Sequence, residues 1–77
     1  MNKEGRKQLA EAMAKVAEAK EIIEQVREEE QEKLDNLEAV GLEYSPNGEK
    51  MQEVIDALYE AEYACETCDE QLQEASA

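Results

Sequence analysis

The residues with the clearest chemical potential are the two cysteines of "CETC", Cys65-Glu66-Thr67-Cys68, the only pair in the chain. Thiols at this spacing serve redox dithiols and zinc sites. Their surroundings oppose both uses. A reactive thiolate needs a positive neighbour or a helix N-terminus to lower its pKa. The neighbours here are Glu62, Glu66, Asp69 and Glu70. Structural zinc takes four ligands, so Cys65 and Cys68 could hold the metal only with a second pair from a dimer mate. The plainer alternative is packing, because small buried cysteines are common core residues.

Little other chemistry is available. The chain has no His, which removes the commonest general base and metal ligand. It has no glycine-rich phosphate loop, and neither Ser45 nor Ser76 has a base partner in view. Carboxylates are abundant, but acid–base work needs one in a dry pocket with a raised pKa. The expectation is a protein that is not an enzyme, with no catalytic residues and no cofactor.

Charge is the stronger signal. Twenty-one acids against eight bases leave a net charge of −13 over 77 residues. Residues 1–20 carry five bases and three acids, a net of +2, while residues 21–77 carry three bases and eighteen acids, a net of −15. Such a surface repels phosphate, so direct nucleic-acid binding and adhesion to anionic membranes are disfavoured. Glu62, Glu66, Glu70 and Glu74 lie four apart and form one stripe on a helix; Glu28, Glu29, Glu30 and Glu32 form a second acidic cluster. Like charges at this spacing cost about 0.2–0.5 kcal/mol per pair. Two explanations remain open: the acidic faces keep a small helical protein soluble, or they engage a basic partner. Net charge along a hairpin comes to one per ~4 Å, and a dimer to one per ~2 Å, against one per ~1.7 Å in duplex DNA. Nucleic-acid mimicry is physically accessible to a dimer.

The elements that must position these groups are two helices. "GLEYSPNGEK" (Gly41 to Lys50) holds the only Pro and two of the three Gly, and is the one strong breaker. It divides a single domain spanning 1–77 at an interhelical turn placed at 41–48. Before it, Leu9, Ala12/Met13, Val16, Ala19, Ile22/Ile23 and Val26, then Leu34, Leu37 and Val40, recur in steps of three and four. After it, Met51, Leu58, Cys65 and Leu72 are seven apart, with Val54, Ala61, Cys68 and Ala75 three further on. That predicts an a/d seam containing both sulfurs. Gly41 is placed to cap the first helix. Ser45-Pro46 reads as an N-cap followed by Pro at the first helical position. The predicted fold is all-α: an antiparallel hairpin with helices at about 3–40 and 46–74. In the first helix "REEEQEK" interrupts the apolar series, with Glu30 in a seam position. Either the seam is wet there, or the helix bends, or the segment faces a partner.

Ordering a chain of this size costs on the order of 100 kcal/mol of conformational entropy. A core of Leu, Ile, Val and Ala without Trp or Phe barely offsets that. Pairing of two hairpins into a four-helix bundle homodimer is therefore expected. The N-terminus "MNKEGRKQLAEAMAK" lacks the apolar stretch of a signal peptide. No apolar run approaches the ~20 residues of a membrane span. The expected location is the cytoplasm of a bacterial host, with reduced thiols.

The segments "RKQLAEAMAKVAEAKEIIEQVREEEQEKLDNL" and "GEKMQEVIDALYEAEYA" together resemble small acidic proteins of phages and mobile elements in Gram-positive and gut bacteria. Where those continue with "EEAIDSLEEA", this chain has "YEAEYACETCDEQ", so the cysteines are a departure. The resemblance implies an anti-defence context of the anti-CRISPR or anti-restriction kind. The implied partner is a basic host protein, such as a nuclease whose nucleic-acid channel is occupied by an acidic mimic. The residues expected to make that contact are Glu62, Glu66, Glu70, Glu74, Glu28, Glu29, Glu30 and Glu32.

Overall fold

The computed structural model describes all 77 residues as two α-helices and no strand. α1 runs Lys3–Ala39 and α2 runs Pro46–Ser76. They lie side by side in a rod of 57 × 14 × 13 Å. α2 begins at Pro46, where the Ser45-Pro46 signal places it, so the last three residues of the 41–48 segment already belong to that helix.

Local chemistry sets the helix ends. Asn2 accepts the Gly5 N–H at 2.8 Å and caps α1. At the other end Val40 is the C-cap, and Gly41 follows in the left-handed region with φ +74°. The Gly41 N–H donates to the Glu38 carbonyl at 3.0 Å and the Leu42 N–H to that of Leu37 at 2.8 Å. This is a Schellman closure, and it satisfies carbonyls the helix end would leave unpaired. Ser45 accepts the Gly48 N–H at 3.1 Å and donates to the Leu42 carbonyl at 2.6 Å. Its one hydroxyl therefore links both sides of the turn. Gly48 is buried against the loop, and a Cβ there would overlap the Glu43 carbonyl group. Only glycine lets the first turn of α2 sit this close to the loop.

The packing seam differs from the sequence expectation in one respect. On α1 the row through Leu9, Val16, Ile23, Glu30 and Leu37 is at least half-buried, as its heptad predicts. Its companion row is Met13, Lys20, Arg27 and Leu34; Met13 and Leu34 belong to the expected apolar series, whereas Lys20 and Arg27 take the places expected of Ala19 and Val26. On α2 the row Met51, Leu58, Cys65 and Leu72 is in the seam. Its companion is Ile55, Glu62, Asp69 and Ser76, one residue after the expected Val54, Ala61, Cys68 and Ala75. Cys68 is accordingly exposed, which corrects the placement of both sulfurs in the seam. Steps of three and of four both complete a heptad. The choice of four puts cations of α1 opposite carboxylates of α2.

The core is small. Ile55 is the one fully buried side chain, at 1% exposure, and Leu34 follows at 7%. α1 stays helical through "REEEQEK", so the apolar gap there is a polar stretch of seam in an uninterrupted helix. Glu30 is half-buried in it and pairs with Lys33 at 3.0 Å.

Candidate interaction surface

Two cross-helix contacts organise the carboxylates. Glu62 lies in the seam at 8% exposure. Arg27 grips it with a two-pronged contact: Nε donates to Oε2 at 2.6 Å and Nη2 to Oε1 at 3.2 Å. The planar guanidinium matches the carboxylate fork, a geometry an ammonium cannot supply. Arg27 also lies over the Tyr59 ring, 4.4 Å from its centre, and Nη1 reaches the Tyr59 hydroxyl at 3.3 Å. Glu24 stands 3.9 Å away on the same side. Hydrogen bonding to Glu62 raises the Arg27 pKa further. This four-residue cluster fills the place where an apolar heptad would put two hydrophobic residues.

Lys20 donates from Nζ to Glu66 Oε1 at 2.7 Å, linking residues 46 apart in sequence. That hydrogen bond raises the Lys20 pKa above its ordinary 10.5, against some loss from desolvation. A raised folded-state pKa means that the contribution is fully present below pH 10.5 and is lost as pH rises through the higher folded value. The stability difference between the wild type and Lys20→Met should therefore be constant at neutral pH and vanish in strong alkali. Thermal melts of both proteins at neutral pH and above pH 11 would check this; a difference that grows with pH would contradict it.

The expected contact residues thus separate. Glu62 is a structural residue, buried and committed to Arg27, and this corrects its place in an exposed stripe. Glu66 is exposed but held by Lys20. Glu70 and Glu74 are exposed and have no ion pair, as have Glu28, Glu29 and Glu32. Glu30 is the half-buried partner of Lys33.

Antiparallel topology also gathers acids that are remote in sequence. The Arg27–Glu62 bridge divides the rod. On its turn side, residues 28–61 hold eleven acids against Lys33 and Lys50, a net of −9 out of −13. Glu38, Glu43, Glu49, Glu53 and Asp56 line one open groove of about 540 Å³ there, with Leu34, Tyr44 and Gln52 and no cation. Glu43 Oε2 is buried without a hydrogen-bond partner. Glu49 and Glu53 are one turn apart on α2, whereas the approach of Glu38 and Glu43 to them depends on chain reversal.

Cys65 is half-buried beside a second, smaller hollow lined by Val16, Ala17, Lys20, Glu66 and Asp69. No three Cys, Asp or Glu side chains converge as a metal cage would require. No helix is long and apolar enough to cross a membrane. No protein-family model, curated protein or solved structure matches the chain.

Proposed function

We propose that this chain is a non-enzymatic acidic interaction protein that binds a basic partner, and that it does so as a homodimeric four-helix bundle. The most concrete form is a nucleic-acid mimic, of the anti-CRISPR or anti-restriction kind that the sequence resemblance implies, encoded by a phage or mobile element and acting in the cytoplasm of a bacterial host. The observation that carries the reading is the charge left after internal pairing. Only Glu11, Glu24, Glu30, Glu62 and Glu66 have a cationic neighbour within 4 Å, so sixteen of 21 acids have no ion pair. On the turn side, nine net charges over ~25 Å give one per ~3 Å, nearer the one per ~1.7 Å of duplex DNA than the whole-chain average is. The acidic groove suits a lysine or arginine side chain, which would satisfy Glu43.

Capture of partners from a bacterial lysate, with mass-spectrometric identification, tests this. The expected catch is a basic nucleic-acid-handling protein. Its binding should weaken at least tenfold between low and high salt, because exposed charges are screened. Glu70→Lys with Glu74→Lys, and separately Glu49→Lys with Glu53→Lys, should each cut affinity by roughly tenfold or more while helicity is kept. Binding that ignores salt and all four substitutions would sink the reading.

A second reading is a structural dimerisation or scaffold module whose acidity serves only solubility. The apolar rows that the hairpin leaves exposed favour it. Recovery of the chain alone from the lysate would point there.

A further inference from the structure

The rows expected in the seam but displaced from it do not disappear. Residues immediately before each displaced seam position project to the same side of an antiparallel pair, since the second helix runs in the opposite sense. Ala19 and Val26 of α1 and Val54, Ala61 and Cys68 of α2 therefore share one side of the rod, with Ile22 beside them. The Arg27–Tyr59 and Lys20–Glu66 contacts lie on the other. Ile22 is 54% exposed, and Val26 and Val54 are each 41%. Charges on this side are few: Lys15, Lys33 and Lys50 against Glu29, a net of +2 on a chain of −13.

We propose that this face is the contact between two copies of the chain, packed antiparallel so that the turn of each lies beside the helix termini of the other. The proposal deepens the dimer of the preceding reading by naming its surface and its orientation.

Area argues for a second copy. The chain exposes 5775 Å², whereas a compact protein of 8.7 kDa is expected to expose only about 4,700 Å². The surplus of roughly 1,000 Å² is close to the ~800 Å² each partner contributes to a standard interface. Charge argues the same way. Two chains of −13 can approach closely only through a side that is not acidic, and this is such a side.

Register and charge together give the orientation. From the Arg27–Glu62 contact, the last turn of α2 at Ser76 pairs near Met13. Residues 3–12 of α1 thus extend ~15 Å past the end of α2. That overhang carries Lys3, Arg6 and Lys7 against Glu4 and Glu11, a net of +1. The opposite end of the rod holds the −9 turn half, with Val40, Leu42 and Tyr44 exposed. An antiparallel pair sets each overhang, the end of the rod that is not acidic, beside the other copy's acidic turn half. A parallel pair would stack the two acidic ends together.

Two measurements decide this. Light scattering should give the wild-type chain twice its single-chain mass of 8.7 kDa. Val26→Glu with Ala61→Glu should halve that mass and keep the helical circular dichroism, because Val26 is exposed and Ala61, half-buried, lies outside the two rows that face the other helix. Zero-length carbodiimide cross-linking should join Lys15 to Glu29, the two α1 charges that an antiparallel pairing sets opposite each other on this face. Those residues are roughly 21 Å apart along α1, so such a link must cross between copies. A dimer that survives both substitutions, or links from Lys15 that reach only Glu70 and Glu74, would overturn the proposal while leaving the acidic reading intact. A wild-type chain that stays monomeric would overturn both the proposal and the dimer of the preceding reading, and would assign the face to a different partner. Binding of the Val26→Glu/Ala61→Glu protein to poly-lysine at low salt reads the acidic surface separately.

Discussion

Ile55→Ala is expected to leave much of the protein unfolded at 37 °C. Ile55 is the one side chain sealed from solvent, and with Leu34 it makes up the buried apolar core. Truncating a buried Ile to Ala typically costs ~2–5 kcal/mol, through lost transfer energy and the cavity left behind. A chain below ~80 residues rarely draws more than ~3–5 kcal/mol from its core. The loss is therefore comparable to the whole stability. At ~4–8 °C per kcal/mol, the melting temperature should drop by roughly 10–20 °C or more. Circular dichroism melts and urea titrations would measure it. Val54→Ala, one residue earlier, is the control. At protein concentrations low enough to keep the hairpin monomeric it should cost far less, since Val54 lies outside the seam. Equal damage from the two would mean that the companion row of the seam is the other one.

Glu62→Lys should be the most destructive single charge change in the chain. It would set an ammonium against Arg27 in a half-dry seam and leave the guanidinium without its fork partner. Breaking a buried pair by removing one member is far costlier than losing a surface pair. A fall in melting temperature of roughly 10 °C or more is expected. Exchange of the partners, Arg27→Glu with Glu62→Arg, should recover a good part of it, because the pairing itself is restored. Glu70→Lys, two turns on and exposed, should shift the melt by only a degree or two. This contrast has a functional consequence. A reversal of Glu62 would abolish partner binding by unfolding the hairpin, so it reports nothing about the acidic surface. Tests of that surface belong at Glu70, Glu74, Glu28, Glu29 and Glu32.

The helix boundaries were legible in the sequence because their causes are local. Gly41 supplies the left-handed residue that ends α1, and Ser45-Pro46 starts α2. Such signals act within three or four residues and need no partner. The absence of His and the acidic bias after residue 20 also follow from composition alone. The heptad rows through Leu9 and Met51 were readable for the same reason: a seven-residue repeat marks one face whatever that face touches.

Which neighbouring row joins each heptad was not readable. On α1 the choice lay between Ala12-Ala19-Val26 and Met13-Lys20-Arg27. On α2 it lay between Val54-Ala61-Cys68 and Ile55-Glu62-Asp69. Hydrophobicity favours the first of each pair, and a single helix has nothing to gain from burying the second. Only when both helices are present do Lys20 and Arg27 meet Glu66 and Glu62, while Ile55 and Leu34 seal the seam on the turn side. By itself the sequence determined two helices, one turn and an acidic surface. Tertiary structure decided that Glu62 is a strut, that Cys68 is on the outside, and that an apolar side remains uncovered. The physical reason is that a cross-helix ion pair is a property of the two helices' relative rotation, and a one-residue shift in that rotation exchanges the buried row for its neighbour.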